Sequence, residues 1–305
     1  MEKEFEASFE EAYEKVKMTC TDTLKEVKKE NNKFLQKVLI VLIILNIIVA
    51  VVPEIRFVIS LSICLSICVL IFLYSTGNKN YGKIYKETVI EQLIKSYNER
   101  FYYDPQMGIA KIDYSLAQFD EKYDIYESED RIFGRFDKGD NFQLSEVAIL
   151  ELKKSKDSKG RTVTTKKQVF RGMYGIVRLE RNTLSTIHIT STNPKNRFIK
   201  HRVEVDSSEF EQYYDCLTRD RIDAMRIFTP DLIEKYVDLV RDNKYGIELK
   251  IRDDMLFFRY KTNQVFEPPM YKSGLEKDFL KKNYRIIFYP LNIMKSTVDA
   301  VHEIY

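Results

Sequence analysis

Tryptophan is absent from the 305-residue chain, and its four cysteines do not indicate a disulfide framework. Cys64 and Cys68 lie inside an apolar run, whereas Cys20 and Cys216 each stand alone. The pattern excludes a small disulfide-stabilised secreted protein and is typical of a reducing compartment. Charged residues make up 31% of the chain and hydrophobic residues 44%, which indicates a mainly globular protein rather than a disordered one.

The sequence also lacks the short motifs that mark common catalytic and metal sites. It has no His-Glu-x-x-His, no phosphate-binding glycine-rich loop, no Gly-x-Ser-x-Gly and no paired Cys-x-x-Cys. Of its three histidines, His188 is expected on the solvated side of a strand, His201 in the core and His302 in the last helix turn. Their spacing is not that of metal ligands, so we predict no catalytic residue, no metal ion and no cofactor.

Two long apolar runs are the strongest feature that the chain does have. Residues 38–52 read VLIVLIILNIIVAVV, and residues 57–74 carry no charge. Each run is near the roughly 20 residues that span a bilayer core, and neither has the polar stripe of a helix on a soluble core. Only Pro53-Glu54-Ile55-Arg56 separates them, so the sequence predicts a transmembrane helical hairpin with a polar tip. The long charged segment before the first run argues against a cleaved signal peptide.

Lysines flank this hairpin on both sides, whereas its tip has a single arginine. They are Lys25, Lys28, Lys29, Lys33 and Lys37 before the first run and Lys79, Lys83 and Lys86 after the second. Because basic flanks stay on the cytoplasmic side of a membrane, both termini of this multi-pass protein are predicted to be cytoplasmic.

Small residues recur every four positions in the second run, as Ser60, Cys64 and Cys68 and as Ser62 and Ser66. This spacing lets two helices approach closely. It predicts packing against the first helix of the hairpin, and homo-oligomerisation is the alternative.

Three regions follow from these patterns: an N-terminal cytosolic helix at residues 1–33, the hairpin at residues 34–75 and a cytosolic α+β domain at residues 76–305. Ser75 to Asn80 is expected to be a short polar linker. Residues 81–101 carry an apolar stripe at helical spacing, which predicts one amphipathic helix.

From about Tyr123 the patterns are those of strands, and we predict a mainly antiparallel sheet flanked by helices. Residues 155–160 and the pair Asp253-Asp254 are expected to be turns between strands. Thr229 and Pro230 are typical of a helix start. The tail from Ser273 is expected to be helical, with an interruption at Pro290.

Acidic residues gather in one strand-like stretch, where Glu127, Glu129 and Asp130 are followed by Glu146. Carboxylates that converge could share a proton or a divalent cation, as in a hydrolase. The alternative is that they bond to turn backbone and to water. Convergence in an open pocket would favour the enzyme.

The charge is distributed unevenly along the chain. Between Lys153 and Arg202 there are 14 basic residues and two acidic ones, so this segment carries +12 and the remainder −9. Such a segment attracts anionic lipid, and a protein partner or solvated charge balanced by the acidic remainder is also consistent with it. Nucleic acid is disfavoured because few aromatic residues are interleaved. The candidate binding residues are Lys153, Lys154, Lys156, Lys159, Arg161, Lys166 and Lys167.

Several stretches together resemble the bacterial membrane proteins of domain-of-unknown-function family 3137. They are YESEDRIFGRF…FQLSEVAI, QVFRGMYGIV, VDSSEFEQYYDCLTRDRIDAMRIFTPDLIEKY and FEPPMYKSG. The resemblance implies a bacterial origin and an inner-membrane anchor, and it implies no activity. The positions that carry it are Glu129, Asp130, Gly134, Ser145, Glu146, Phe170, Gly172, Phe210, Asp220, Ala224, Thr229 and Pro230.

Two functions remain open from the sequence. The first is a non-enzymatic, membrane-anchored binding or scaffold module whose partners are the lipid bilayer, another protein or a second copy of the chain. The second is a membrane-bound hydrolase that uses Glu129, Asp130 and Glu146.

Overall fold

The structure is a computed structural model that describes residues 2–51, 58–119, 121–156, 158–180, 185–192, 201–242, 247–263, 266–269 and 273–304. The predicted polar tip at residues 53–56 lies outside the described residues. So do Lys195, Arg197 and Lys200 of the basic segment.

The described residues form a mixed helix and sheet structure, which confirms the predicted α+β class. The helices are α1 (Glu2–Val51), α2 (Ile59–Tyr85), which continues into a π-helical turn (Lys86–Ile90), α3 (Glu91–Tyr97), α4 (Lys111–Leu116), α5 (Ser208–Tyr213), α6 (Arg221–Ile227), α7 (Pro230–Asp242) and α8 (Lys277–Ile304). The strands are β1 (Tyr102–Asp104), β2 (Ile125–Arg135), β3 (Asn141–Lys156), β4 (Thr162–Arg178), β5 (Ile187–Ser191), β6 (Arg202–Val203), β7 (Tyr214–Thr218), β8 (Ile247–Arg252) and β9 (Met255–Lys261).

Within the described residues the strands form one nine-stranded sheet in the order β1-β2-β3-β4-β9-β8-β5-β7-β6. Neighbouring strands are antiparallel, as predicted. β3 and β4 are joined across the predicted turn, and β8 and β9 are joined at Asp253-Asp254. Asp253 adopts a φ of 56°, a left-handed conformation that aspartate tolerates better than most residues.

The chain divides into two compact units. The first, called here the sheet unit, comprises Met1–Ala12, Leu93–Phe266 and Lys281–Tyr305. The second, called here the helical unit, comprises Tyr13–Gln92 and Glu267–Leu280.

The two ends of the chain meet in the core of the sheet unit. Phe5 and Phe9 are fully buried, and the Phe5 ring lies 5.9 Å from that of Tyr284 and 5.4 Å from that of Tyr289. Glu2 accepts a hydrogen bond from the Tyr289 hydroxyl at 2.5 Å. The first turns of α1 therefore complete the same aromatic core as α8.

In the helical unit, polar side chains join the two apolar helices. Asn46 donates to the Ser66 hydroxyl at 2.8 Å and accepts from the Ser62 hydroxyl at 2.9 Å. The Ser62–Ser66 row thus packs against α1, as predicted for a hairpin, whereas Cys64 and Cys68 are exposed. A polar bridge of this kind satisfies Asn46 in apolar surroundings.

Two helices are long and apolar enough to cross a membrane: Glu2–Val51 and the helical stretch Leu61–Tyr97. None of the apolar window of the first, and 6% of that of the second, is buried within the protein. A core helix of a soluble protein buries most of such a window, so the exposure agrees with a membrane environment.

Three local predictions were wrong. Ser75 to Asn80 continues α2 instead of forming a linker. The helix predicted for residues 81–101 ends at Tyr97, and Phe101 lies directly before β1. α8 runs through Pro290 without interruption. Proline removes one backbone donor from a helix, but the residues on both sides of Pro290 are buried, and their packing outweighs that loss.

Candidate functional site

A two-stranded ribbon extends the β3–β4 hairpin beyond the rest of the sheet. β2 pairs with β3 only as far as Leu150, and β9 pairs with β4 only from Gly172 onward. Residues 151–167 are called here the basic arm. Within it, residues 151–156 pair with residues 162–167, and no third strand of the described residues lies beside them. The arm carries seven basic and two acidic side chains, a net charge of +5.

All seven predicted binding residues lie on the basic arm and are exposed. Lys154, Lys156 and Lys166 share one face of the ribbon, since residues opposite each other or two apart point the same way. Lys153 and Lys167 lie on the other face. Lys159 and Arg161 follow at the turn, so the arm presents positive charge in every direction.

Two acidic residues near the start of the chain form ion pairs with α8 rather than with the basic arm. Glu2 lies 3.3 Å from the Arg285 guanidinium, and Glu6 lies 2.6 Å from the Lys281 ammonium, both on α8. If the acidic N-terminal segment balanced the charge of the arm, its acids would lie against the arm. Glu2 and Glu6 are instead bound to α8.

The predicted acidic residues meet at a bulge in β2. Glu129 pairs with Glu146, whereas the next register pair joins Ile132 to Leu144, so β2 has one residue more than β3. The bulge places Asp130 at a φ of 58° and buries its side chain completely. Carboxylate oxygens of Glu129, Asp130 and Glu146, called here the carboxylate cluster, lie within 4.8 Å of one another.

Hydrogen-bond donors already engage two members of the carboxylate cluster. The Arg171 guanidinium donates to Glu146 Oε1 through Nε at 3.1 Å and Nη2 at 2.9 Å. The Tyr103 hydroxyl donates a short hydrogen bond to Asp130.

An open cavity of about 540 Å³ lies beside the carboxylate cluster. Its lining residues are Gln106, Tyr126, Glu127, Ser128, Glu129, Glu146, Ala148 and Arg171. Of the carboxylate cluster, Glu129 and Glu146 line this cavity, whereas Asp130 is fully buried and does not. The geometric condition for the enzyme interpretation is therefore met by two of the three acids.

The histidines lie apart from the carboxylate cluster. His188 Nε2 is 2.7 Å from Glu248 Oε1, and His302 Nε2 is 2.6 Å from Asp140 Oδ2. His188 is thus bonded to a carboxylate rather than simply solvated. The prediction of a core His201 was wrong: it is exposed, because β6 is limited to Arg202–Val203 and His201 precedes it.

Sequence reasoning missed a second charged group on the sheet. Arg259 donates to Glu121 at 2.6 Å and to Glu248 at 2.5 Å, and its guanidinium lies 4.1 Å from the Phe119 ring centre. Burial acts to raise the pKa of Glu248, but the His188 hydrogen bond and the Arg259 charge outweigh it and hold that pKa below its usual range. Glu121 and Arg259 are 138 positions apart, and no local pattern marks such a pair.

Several positions of the family pattern have structural roles here. Asp220 caps α6 by accepting from Ile222 N at 2.9 Å and Asp223 N at 3.1 Å. The Thr229 hydroxyl accepts from Leu232 N at 3.4 Å at the predicted start of α7. Phe210 is fully buried.

The fold and these surfaces define a mixed α+β protein with two helices that could cross a membrane, a basic arm and a carboxylate cluster. Residues 168–302 match the model of a family described as protein of unknown function (DUF3137), which confirms the resemblance over that segment. The matched segment begins after both the carboxylate cluster and the basic arm. Of the residues that line the cavity, it includes only Arg171. No curated protein matches the chain.

Among solved structures, the chain is similar to the crystal structure of the mycobacterial trehalose monomycolate transport factor A, TtfA. The identity is 9% and the TM-score 0.34, and the similarity covers 72% of this chain and 93% of that one. A likeness at this level carries no argument about function.

Proposed function

We propose that the protein is a membrane-anchored, non-enzymatic module whose basic arm contacts anionic lipid at the membrane surface. The observation that carries the proposal is the set of seven exposed basic side chains on a ribbon that has no neighbouring strand in the part of the chain that the structure describes. The proposed location is the inner membrane of a bacterium, with a two-helix anchor, both termini in the cytoplasm and the α+β domain at residues 76–305.

Electrostatics makes such a contact favourable. Each basic residue near an anionic leaflet contributes about 1 kcal/mol. A membrane anchor holds the arm close to the lipid, so the contact forms at a high effective concentration. A protein partner and a second copy of the chain are the competing occupants of the arm.

Lysines on an exposed ribbon also prevent edge-to-edge aggregation. That role requires charge but no particular partner. The two explanations differ in their expected response to lipid, which the following experiment measures.

The full-length protein is held in nanodiscs of neutral phosphatidylcholine and mixed with free vesicles. We expect co-sedimentation with vesicles that contain phosphatidylglycerol, little with neutral vesicles, and a decrease with salt, since screening shortens the reach of exposed charges to about 8 Å at physiological ionic strength. The arm variant K153Q/K154Q/K156Q/K159Q should lose most of the binding. The control variant K3Q/K122Q/K261Q/K282Q removes the same number of positive charges from exposed sites outside the arm, and it should retain the vesicle binding.

Equal binding to neutral and anionic vesicles would contradict the proposal. So would equal losses in the arm and control variants, since total charge would then explain the binding. A protein partner would become the better occupant of the arm.

Hydrolysis by the carboxylate cluster is a second candidate, favoured by the open cavity that Glu129 and Glu146 line and by the proximity of the buried Asp130 to both. Three carboxylates suit a hard divalent cation such as Mg²⁺ or Mn²⁺. Mn²⁺ binding, followed by electron paramagnetic resonance, should then be lost in E129Q/D130N and retained in E127Q, which alters a cavity-lining acid outside the cluster. Absence of Mn²⁺ binding by the unaltered protein would remove this candidate.

A further inference from the structure

α4 exposes two large apolar side chains on one side. Ile112 is 73% exposed and Leu116 48%. They are four residues apart, which places them next to each other on a helix. Neighbouring Lys111 and Asp113 cancel in charge, so this face of α4 is an apolar patch rather than a charged one.

Contacts connect α4 to the base of the basic arm. The Lys111 ammonium lies 5.3 Å from the Tyr123 ring centre, and the Ser115 and Tyr123 hydroxyls are 3.5 Å apart. The next residue, Asp124, donates its backbone N–H to Leu150 O at 2.9 Å and accepts from Leu152 N at 2.7 Å. The apolar patch therefore adjoins the first residues of the arm.

The opposite side of α4 is fixed to the sheet. Tyr114 is buried, and its ring centre lies 4.7 Å from that of Tyr174. Ala117 and Gln118 directly follow α4, and their backbone carbonyls accept hydrogen bonds from the Lys250 ammonium at 3.0 Å and 2.9 Å. These contacts attach one side of α4 to the sheet and leave Ile112 and Leu116 exposed on the other.

We propose that Ile112 and Leu116 insert into the interfacial layer of the anionic bilayer that the basic arm contacts. The inference rests on the proposed function and adds an apolar component to it. Basic residues bring such a surface to anionic lipid, and buried apolar side chains then hold it there.

The absence of tryptophan from the chain provides a direct measurement. The variant L116W has a single tryptophan, whose emission we expect to shift to the blue in anionic nanodiscs and to be quenched by nitroxide-labelled lipid. Neutral nanodiscs should give a smaller shift. The matched control is I222W on α6, since Ile222 is 65% exposed and α6 follows β7, four strands from β4 in the sheet.

Vesicle binding separates this inference from the proposed function. I112S/L116S should lose binding that persists at high salt, whereas I222S should not. If the arm variant loses binding while I112S/L116S behaves as I222S and L116W emission is unchanged, the apolar contact is wrong and the arm proposal stands. If the unaltered protein does not bind anionic vesicles, both proposals are wrong.

Discussion

Gly172 lies where the backbone of β9 comes very close to β4. A Cβ at this position would overlap the Tyr260 carbonyl oxygen and lie 2.8 Å from Thr262 N, and these backbone atoms cannot turn aside. We expect G172A to lower the free energy of unfolding by about 1–3 kcal/mol, as overpacking does. Urea denaturation measures the change.

Gly134 provides a graded control for this substitution. A Cβ there would lie 2.9 Å from a ring atom of Phe101 and 3.4 Å from the Arg100 carbonyl oxygen, so it would overlap the backbone less than a Cβ at residue 172. G134A should therefore cost less stability than G172A. Equal stability of G172A and the unaltered protein would show that the strands can separate locally.

The charged group around Arg259 makes stability depend on pH. Because the folded state lowers the pKa of Glu248 below its ordinary 4.5, this carboxylate stabilises the fold above that value and ceases to do so as the pH falls below it. E248Q should be less stable at pH 7 and should lose less stability on acidification. Thermal unfolding between pH 7 and pH 3 tests this, with the exposed-site variant E127Q as the control.

How far single residues could be predicted depends on the range of their interactions. The basic arm was predictable because charge density is a local property of the sequence. The carboxylate cluster was half predictable: its acids are close in sequence, but the bulge that buries Asp130 is not marked there. The Glu121–Arg259 pair was not predictable, because only the folded sheet brings these residues together.

Among the elements, the basic arm is expected to be dispensable for folding. Its side chains are largely exposed on both faces, so it adds little to the core. Replacing residues 153–165 with Asn-Gly, a pair that favours tight hairpins, should leave the melting temperature nearly unchanged and abolish binding to anionic vesicles. A large fall in melting temperature would show instead that the arm supports the sheet.

Elements were predictable where local chemistry and burial agree. The turn at Asp253-Asp254 and the start of α7 at Thr229 followed from residue preferences that the structure satisfies. Pro290 and the polar stretch at residues 75–80 did not follow, because neighbouring packing or the preceding helix overrides their local preference.

At the scale of the whole molecule, the predicted orientation of the two apolar helices is open to a direct test. Reporters active only in the cytoplasm, fused before Met1 or after Tyr305, should both be active, since lysines flank the helices on the side of the termini. A reporter inserted at Glu54 should be inactive. An inactive reporter at either terminus would contradict the arrangement.

The joining of the two chain ends predicts that the first residues stabilise the sheet unit. Phe9 is fully buried, and its ring centre lies 6.0 Å from that of Tyr284. F9A should therefore cost about 3–5 kcal/mol, as large aromatic truncations in cores do. M18A, which truncates a side chain that is 75% exposed on the same helix, should cost almost nothing. Comparable effects of the two substitutions in urea denaturation would argue against the shared core.

The same feature has a consequence for biosynthesis. Phe5 and Phe9 are translated well before Tyr284 and Tyr289, their partners on α8. The aromatic core cannot close until α8 has left the ribosome, so folding of the sheet unit is completed only after α8 has been made. Until then these rings lack their α8 partners, and a chaperone that binds the nascent segment around Phe5 and Phe9 has the time of α8 synthesis and of all that precedes it in which to act.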